Sequence, residues 1–285
     1  MRNRVTYYPP VTQHLLARNA EQVKGKPYER FFDDDLWLHD EAMDALRQPM
    51  DPAAALAPDA GGLDSLLDPG YHEVENGYCA LPDGSGYVAS LVPMPGCDGE
   101  MYQWWFWWHA VEPARYTLWY PTNHIAAIPL DRRVLTAPGL THEQRYVGTT
   151  HHVDEYIGPD LVQIAITFVE PAELGFDTGR FREAGIVGHA CARVSFRRPR
   201  LEVVTMVHLA RQTPDGIEQR SRYWIGHQPR LHAFGRSIDL DIPATKLGIK
   251  RRLAGERVAY EQFLHDQIEF THLSTFLADL HTELA

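Results

Sequence analysis

The sequence predicts an α+β protein in which an antiparallel sheet curls around a long C-terminal helix, preceded by a small helical arm. Three observations carry that prediction. From Leu253 to about Glu283 there is no proline, and Val258, Phe263, Leu264, Ile268, Leu273, Phe276, Leu277 and Leu280 recur at helical spacing. Between Leu161 and Ile225, four apolar or alternating runs are separated by turn signals at Glu170-Pro171, Arg198-Pro199 and Pro214-Asp-Gly216. Before about Gly62 the chain mixes aromatic and acidic residues, then passes through a Pro/Ala/Gly-rich stretch from Pro52.

In chain order, residues 1–62 form the arm and its linker. Tyr28–Phe32 and Asp40–Arg47 have apolar residues three or four apart, as short helices require. Such an arm buries too little surface to stand alone, so it packs on the main domain or on another subunit. Residues 63–285 form the main domain. Gly86–Met94 reads as a strand, and Pro93–Gly99 as a turn-rich break. Glu100–His109 carries Trp104-Trp-Phe-Trp-Trp108 and reads as a helix buried on several faces. Leu161–Val169, His189–Phe196, Leu201–Ala210 and Gln219–Ile225 are the strands of the sheet. A sheet wrapped on one helix leaves a cavity between them, a common place for a small-molecule site.

Composition narrows the partners. A formal charge of −11 over 285 residues argues against a general nucleic-acid binder, which needs clustered cations. Lys250-Arg251-Arg252 and Arg197-Arg198 are short enough to be solvated faces. Three widely spaced cysteines without CxxC give no disulfide framework. The first ten residues lack the apolar core of a signal peptide, and no apolar run reaches membrane-span length. These features predict a soluble cytoplasmic protein. Its fifteen histidines provide metal ligands without any need for thiolates.

The chemistry concentrates in three places. His265-Asp-Gln-Ile-Glu269 puts an imidazole and a carboxylate at i and i+4, on one face of the last helix. Taken alone, that spacing also describes a solvated ion pair. Tyr120-Pro-Thr-Asn-His124 ends an aromatic turn in a histidine, which could equally cap the turn. His151-His-Val-Asp-Glu155 places a glutamate at a strand edge, with Val153 and Ile157 on its face. His109, His151, His152, His189 and His272 are rival ligands. His272 leads them, because it lies one turn beyond Glu269.

The set His124, Glu155, His265 and Glu269, with its spacing and its HxxxE on the last helix, resembles the 2,4-diacetylphloroglucinol hydrolase and phloretin hydrolase family. The resemblance covers the chain from about Tyr71 to the end and extends into the arm. It implies a helix-grip (Bet v 1-like) main domain, an arm that supports a homodimer, and Zn2+ held by those four residues. It implies hydrolysis of the carbon–carbon bond between an acyl group and a phloroglucinol ring, giving a carboxylic acid and phloroglucinol. The substrate would be a small aromatic ketone such as phloretin or mono- or diacetylphloroglucinol. Tyr116, His208 and Tyr223 match family positions around the ring. Glu155 or His208 would deliver the proton to the ring carbon. One position departs: Ala127 stands where the acetylphloroglucinol enzyme has an asparagine, and Asn123 lies on the other side of His124. That departure points to an acyl group other than acetyl.

Nitrogen and oxygen ligands also accept iron, manganese or cobalt. Two other readings of the same residues stand beside the first. One is a metal-free carrier of aromatic ligands, since fold alone does not give function. The other is a metal-dependent ester or lactone hydrolase.

Overall fold

The computed structural model describes residues 3–6, 10–233 and 235–285; residues 1, 2 and 7–9 of the predicted arm lie outside that description. Ten strands make one sheet. In chain order they are β1 (Gly77–Ala80), β2 (Gly86–Pro95), β3 (His124–Pro129), β4 (Thr150–Ile157), β5 (Asp160–Phe168), β6 (Ile186–His189), β7 (Ala192–Phe196), β8 (Leu201–Thr213), β9 (Gly216–Ala233) and β10 (Arg236–Asp239). The spatial order is β1-β2-β9-β8-β7-β5-β4-β3, with β6 also on β8 and β10 on β9. Every pairing is antiparallel.

The last helix runs Glu256–Leu284, 29 residues and about 43 Å long. Its middle, from His265 to Leu273, is buried at every position. An amphipathic stripe would leave a wet side, so this stretch is enclosed by the sheet on one side and by other helices on the rest. The aromatic helix Gly99–Trp108 is one of those neighbours, with Trp104, Trp105, Phe106 and Trp108 buried. Trp105 meets Phe276 of the last helix edge-on at 5.9 Å. A large antiparallel sheet with a long C-terminal helix is therefore what the chain forms.

Several boundaries differ from the sequence reading, each for a local reason. The long helix begins at Glu256 rather than Leu253, because Gly255 separates it from the short helix Ile249–Ala254. His189–Phe196 is two strands, β6 and β7, both paired to β8 and separated at Ala190-Cys191. β8 and β9 outrun the expected ends, because their hairpin pairs continuously to Thr213 and Gly216. Tyr28–Phe32 holds only the single 3₁₀ turn Glu29–Phe31. The helix Pro10–Val23 was not expected. It matters to the site: Asn19, fully buried, donates from Nδ2 to the carbonyls of Pro121 and His124, at 2.9 Å each. Val23, Tyr28, Phe31, Leu36 and Leu38 of the arm join the same core as the last helix.

The two faces of the sheet are covered differently. The inner face looks toward the last helix and a cavity. The outer face carries a second apolar cluster, in which Leu63, Leu66 and Leu67 cover Tyr87, Leu209 and Trp224.

Candidate active site

β3 and β4 are paired so that His124 sits directly opposite Glu155. Cross-strand partners hold their Cβ atoms roughly 5 Å apart, which is how residues 31 positions apart come to share a site. β4 lies between β3 and β5, so Glu155 is on an interior strand and not at a sheet edge. The expected alternation holds, because Val153, Glu155 and Ile157 all line the cavity. The last helix brings His265 and Glu269 to the same point.

The resulting geometry is tight. Nε2 of His124 lies 3.2 Å from Nε2 of His265, 3.6 Å from Oε2 of Glu155 and 3.4 Å from Oε2 of Glu269. His265 Nε2 is 3.8 Å from the same Glu269 oxygen. Donor atoms of His124, Glu155 and His265 lie within 4.8 Å of one another, a grouping that could hold a metal ion. All four residues are buried, none more than 6% exposed.

Their electrostatics fit a cation. Burial pushes the Glu155 carboxyl up to about 7 against the opposing hydroxyl of Tyr116. Burial, with Asp266 and Glu155 nearby, raises Glu269 well above the carboxylate range. Burial and the facing His265 hold His124 well below the usual imidazole range, and burial takes His265 down to about 3. No Lys or Arg among the described residues is ion-paired with either glutamate. His124 donates from Nδ1 to the Tyr116 carbonyl at 3.2 Å, which leaves Nε2 as the lone pair aimed at the centre. A ring nitrogen tied to a backbone carbonyl is the usual support of a metal-ligating histidine.

The predicted ring contacts converge as well. Tyr116 donates its hydroxyl to Glu155 and stacks on the His124 ring at 4.0 Å. Tyr223 donates to Asp266 at 2.6 Å, and its oxygen is 3.3 Å from His208 Nε2. His208 Nδ1 meets Ser221 Oγ at 2.8 Å, and Gln219 donates to the same oxygen at 3.1 Å. Burial lowers His208 to about 3, so it is neutral near pH 7. Burial, with Asp266 and the two glutamates nearby, raises Tyr223 well above 10, so it keeps its proton.

Asp266 escaped the sequence reading. It is fully buried, accepts from Ser90 at 2.5 Å as well as from Tyr223, and is pushed up to about 6 by burial against those hydrogen bonds. As the residue after His265 it reads as an exposed acid. The signal that could have found it is its place beside His265 in a stretch where Phe263, Ile268, Phe270 and Leu273 leave no polar face.

The rival histidines resolve by geometry. His272 donates from Nδ1 to the Trp119 carbonyl at 2.9 Å and lines a separate pocket with Arg30 and Asp35, because seven residues of helix carry it about 10 Å along the axis from His265. His109 donates to the Trp105 carbonyl and His151 meets Thr149; both border the cavity but stand apart from the cluster. His189 pairs with Glu143 and, with Glu170, forms a second group that could hold an ion outside the cavity, and His152 is half-buried outside the cavity wall. Ala127 and Asn123 are not part of that wall either; Asn123 donates to the Tyr156 carbonyl.

The cavity measures about 450 Å³. No helix among the described residues is long and apolar enough to cross a membrane. A deep apolar cavity with convergent imidazoles, carboxylates and phenols in its wall defines a small-molecule site of the enzymatic kind. Residues 56–282 match the DAPG hydrolase PhiG domain, and the chain belongs to that family. It is 36% identical over 280 residues to the 2,4-diacetylphloroglucinol hydrolase of Pseudomonas protegens, covering 98% of this chain and 91% of that one. A 2,4-diacetylphloroglucinol hydrolase from a Pseudomonas sp is also 36% identical, with 98% and 95% covered. The phloretin hydrolase of Eubacterium ramulus is 28% identical over 208 residues, 73% of this chain and 71% of that one.

Proposed function

We propose that this protein hydrolyses the bond between an acyl carbonyl and a phloroglucinol-type ring, using one zinc ion held by His124, Glu155, His265 and Glu269. The observation that carries the proposal is the convergence of those four side chains beside Tyr116, His208 and Tyr223 in one cavity. Imidazole and carboxylate donors at roughly 2.0–2.2 Å suit zinc. When bound, zinc supplies a Lewis acid for the ketone oxygen and lowers the pKa of water toward neutrality.

The chain's own residues do the rest. Water adds to the acyl carbon, the carbon–carbon bond breaks, its electron pair goes to the ring carbon, and that carbon takes a proton. The ring is a tolerable leaving group only while its hydroxyls are held as charge develops. Tyr223 commits its proton to Asp266, which leaves its oxygen to accept from a ring hydroxyl. Neutral His208, within 3.3 Å of that oxygen, binds the same edge of the ring. Tyr116 keeps its proton and fixes the Glu155 carboxylate. Either Glu155 or His208 takes the proton that the attacking water loses and passes it to the ring carbon. Around this site we read the fold as a helix-grip domain, with residues 1–62 as an arm that pairs two copies and the cytoplasm as its place. The family resemblance supports the fold and the arm.

The test is release of free phloroglucinol from acylphloroglucinols, phloretin among them, with and without chelation. Chelator-sensitive release that His265→Ala abolishes is the expected result. A folded, zinc-loaded protein that releases none contradicts the proposal.

A further inference from the structure

The cavity is not uniform along its length. Its polar groups gather at one end, where Tyr116, Glu155, His208, Tyr223, His265 and Glu269 face inward. Beyond Glu155 and His265 the wall turns mainly apolar, with the uncharged amide of Gln262 one helical turn out from His265. Val162, Phe196, Leu201 and Val204 come from β5, β7 and β8, and Leu253 and Val258 from the two C-terminal helices. From His265 back to Val258 is seven residues of helix, about 10 Å. The apolar wall therefore extends well past the point where a ketone carbon would sit.

Among the described residues the outer end offers no free charge. Lys250 is the cation in that wall, and its ammonium is held by Asp83 at 2.6 Å and Asp241 at 2.5 Å. The segment that roofs this end leaves Ile242, Leu247 and Leu253 more than half exposed, so its approach is apolar too. Gly226 fixes the roof's distance from the sheet: a Cβ there would lie 2.6 Å from that of Ala254. With the ring among the tyrosines and His208, an acetyl group would leave most of the apolar wall against water.

We infer that the preferred substrates carry a long, uncharged hydrocarbon acyl chain, lying along this outer channel between Phe196, Leu201, Val204, Leu253 and Val258. The inference rests on the acylphloroglucinol reading and names the acyl class within it. The departure at Ala127 plays no part, since that residue is not in the cavity wall.

The test is a chain-length series of acetyl-, butanoyl-, hexanoyl- and octanoylphloroglucinol on the zinc-loaded protein. Each buried methylene is expected to raise kcat/KM about fourfold, so roughly 200-fold from acetyl to hexanoyl. Val258→Trp, which fills the outer end, should collapse the hexanoyl-to-acetyl ratio at least tenfold. Leu253→Gln, at a half-solvated position that tolerates polarity, should lower the same ratio if the tryptophan variant does not fold. A flat series on an active enzyme overturns the inference and leaves the carbon–carbon hydrolysis standing. If no ketone is cleaved, the hydrolase reading falls, and calorimetric binding of alkylphloroglucinols without the carbonyl decides the channel. Affinity that rises with chain length supports it, and affinity indifferent to length overturns it.

Discussion

Strand β9 puts opposite electrostatic strategies on its two faces. Arg220 and Arg222 point outward, almost fully buried, and both guanidiniums grip Glu75 at 2.6 and 2.5 Å. Ser221 and Tyr223 point inward, to His208 and Asp266. On the outer face burial pushes the Glu75 carboxyl up, but Arg222 and Arg220 together pull it down to about 2. On the inner face the same desolvation wins, holding His208 neutral and lifting Asp266. A closed set of charges anchors the 56–76 segment to the sheet. An open set, with its carboxyls and imidazoles pushed toward neutrality, is what a bound cation and a reacting ring can use.

The comparison breaks first at its ends. On the inner face, Glu269→Gln should cost roughly 10³-fold or more in kcat/KM, while the melting temperature of metal-free protein stays level or rises, because one buried carboxyl is gone. An equal loss of stability and activity would make the cluster a structural one. On the outer face, Glu75→Gln should destabilise the fold by roughly 3–5 kcal/mol, since it strands two buried cations. Activity per folded molecule should remain. Urea unfolding and rate measurements on the same sample separate the two effects.

Acid should challenge the faces in order. His208 is held down to about 3, so its contribution is full above the unfolded imidazole value near 6.5 and is lost as pH falls through that window. Glu75 is held down to about 2, so its contribution is full above roughly 4.3 and is lost only below it. His208→Leu should therefore remove the share of one histidine from the slope of stability against pH below about 6.5. Other lowered histidines, His109, His124, His151 and His265 among them, keep their share, as do the raised carboxyls Glu155, Asp266 and Glu269, which act in the opposite direction. A variant with no change in slope between pH 6.5 and 4.5 would refute the assignment. Smallest of all, Ser90→Ala removes one hydrogen bond to Asp266 and should cost about 1 kcal/mol, with a few-fold loss of rate through Tyr223.

What the sequence made legible follows from range. His265 and Glu269 could be paired by helical spacing alone, and the sheet and last helix by periodicity. The pairing of His124 with Glu155 depends on strand register across 31 residues, which no local pattern encodes, so only family resemblance joined them. Arg220 and Arg222 alternate along a strand as a solvated face would, and nothing local says that residues 56–76 cover them. Asp266 was hidden by its neighbour: a charge one residue from a ligand is easily taken for the wet side of the helix, yet this helix has no wet side there.

The central claim is that the inner-face cluster holds the ion on which carbon–carbon cleavage depends. The most direct measurement is phloroglucinol release by chelated protein during stepwise return of zinc, with bound metal counted at each step. Rate rising in proportion to occupancy, saturating at one zinc per chain and lost in His265→Ala, is the predicted result. Full release by metal-free protein, or one bound zinc with no release from any acylphloroglucinol, would contradict it.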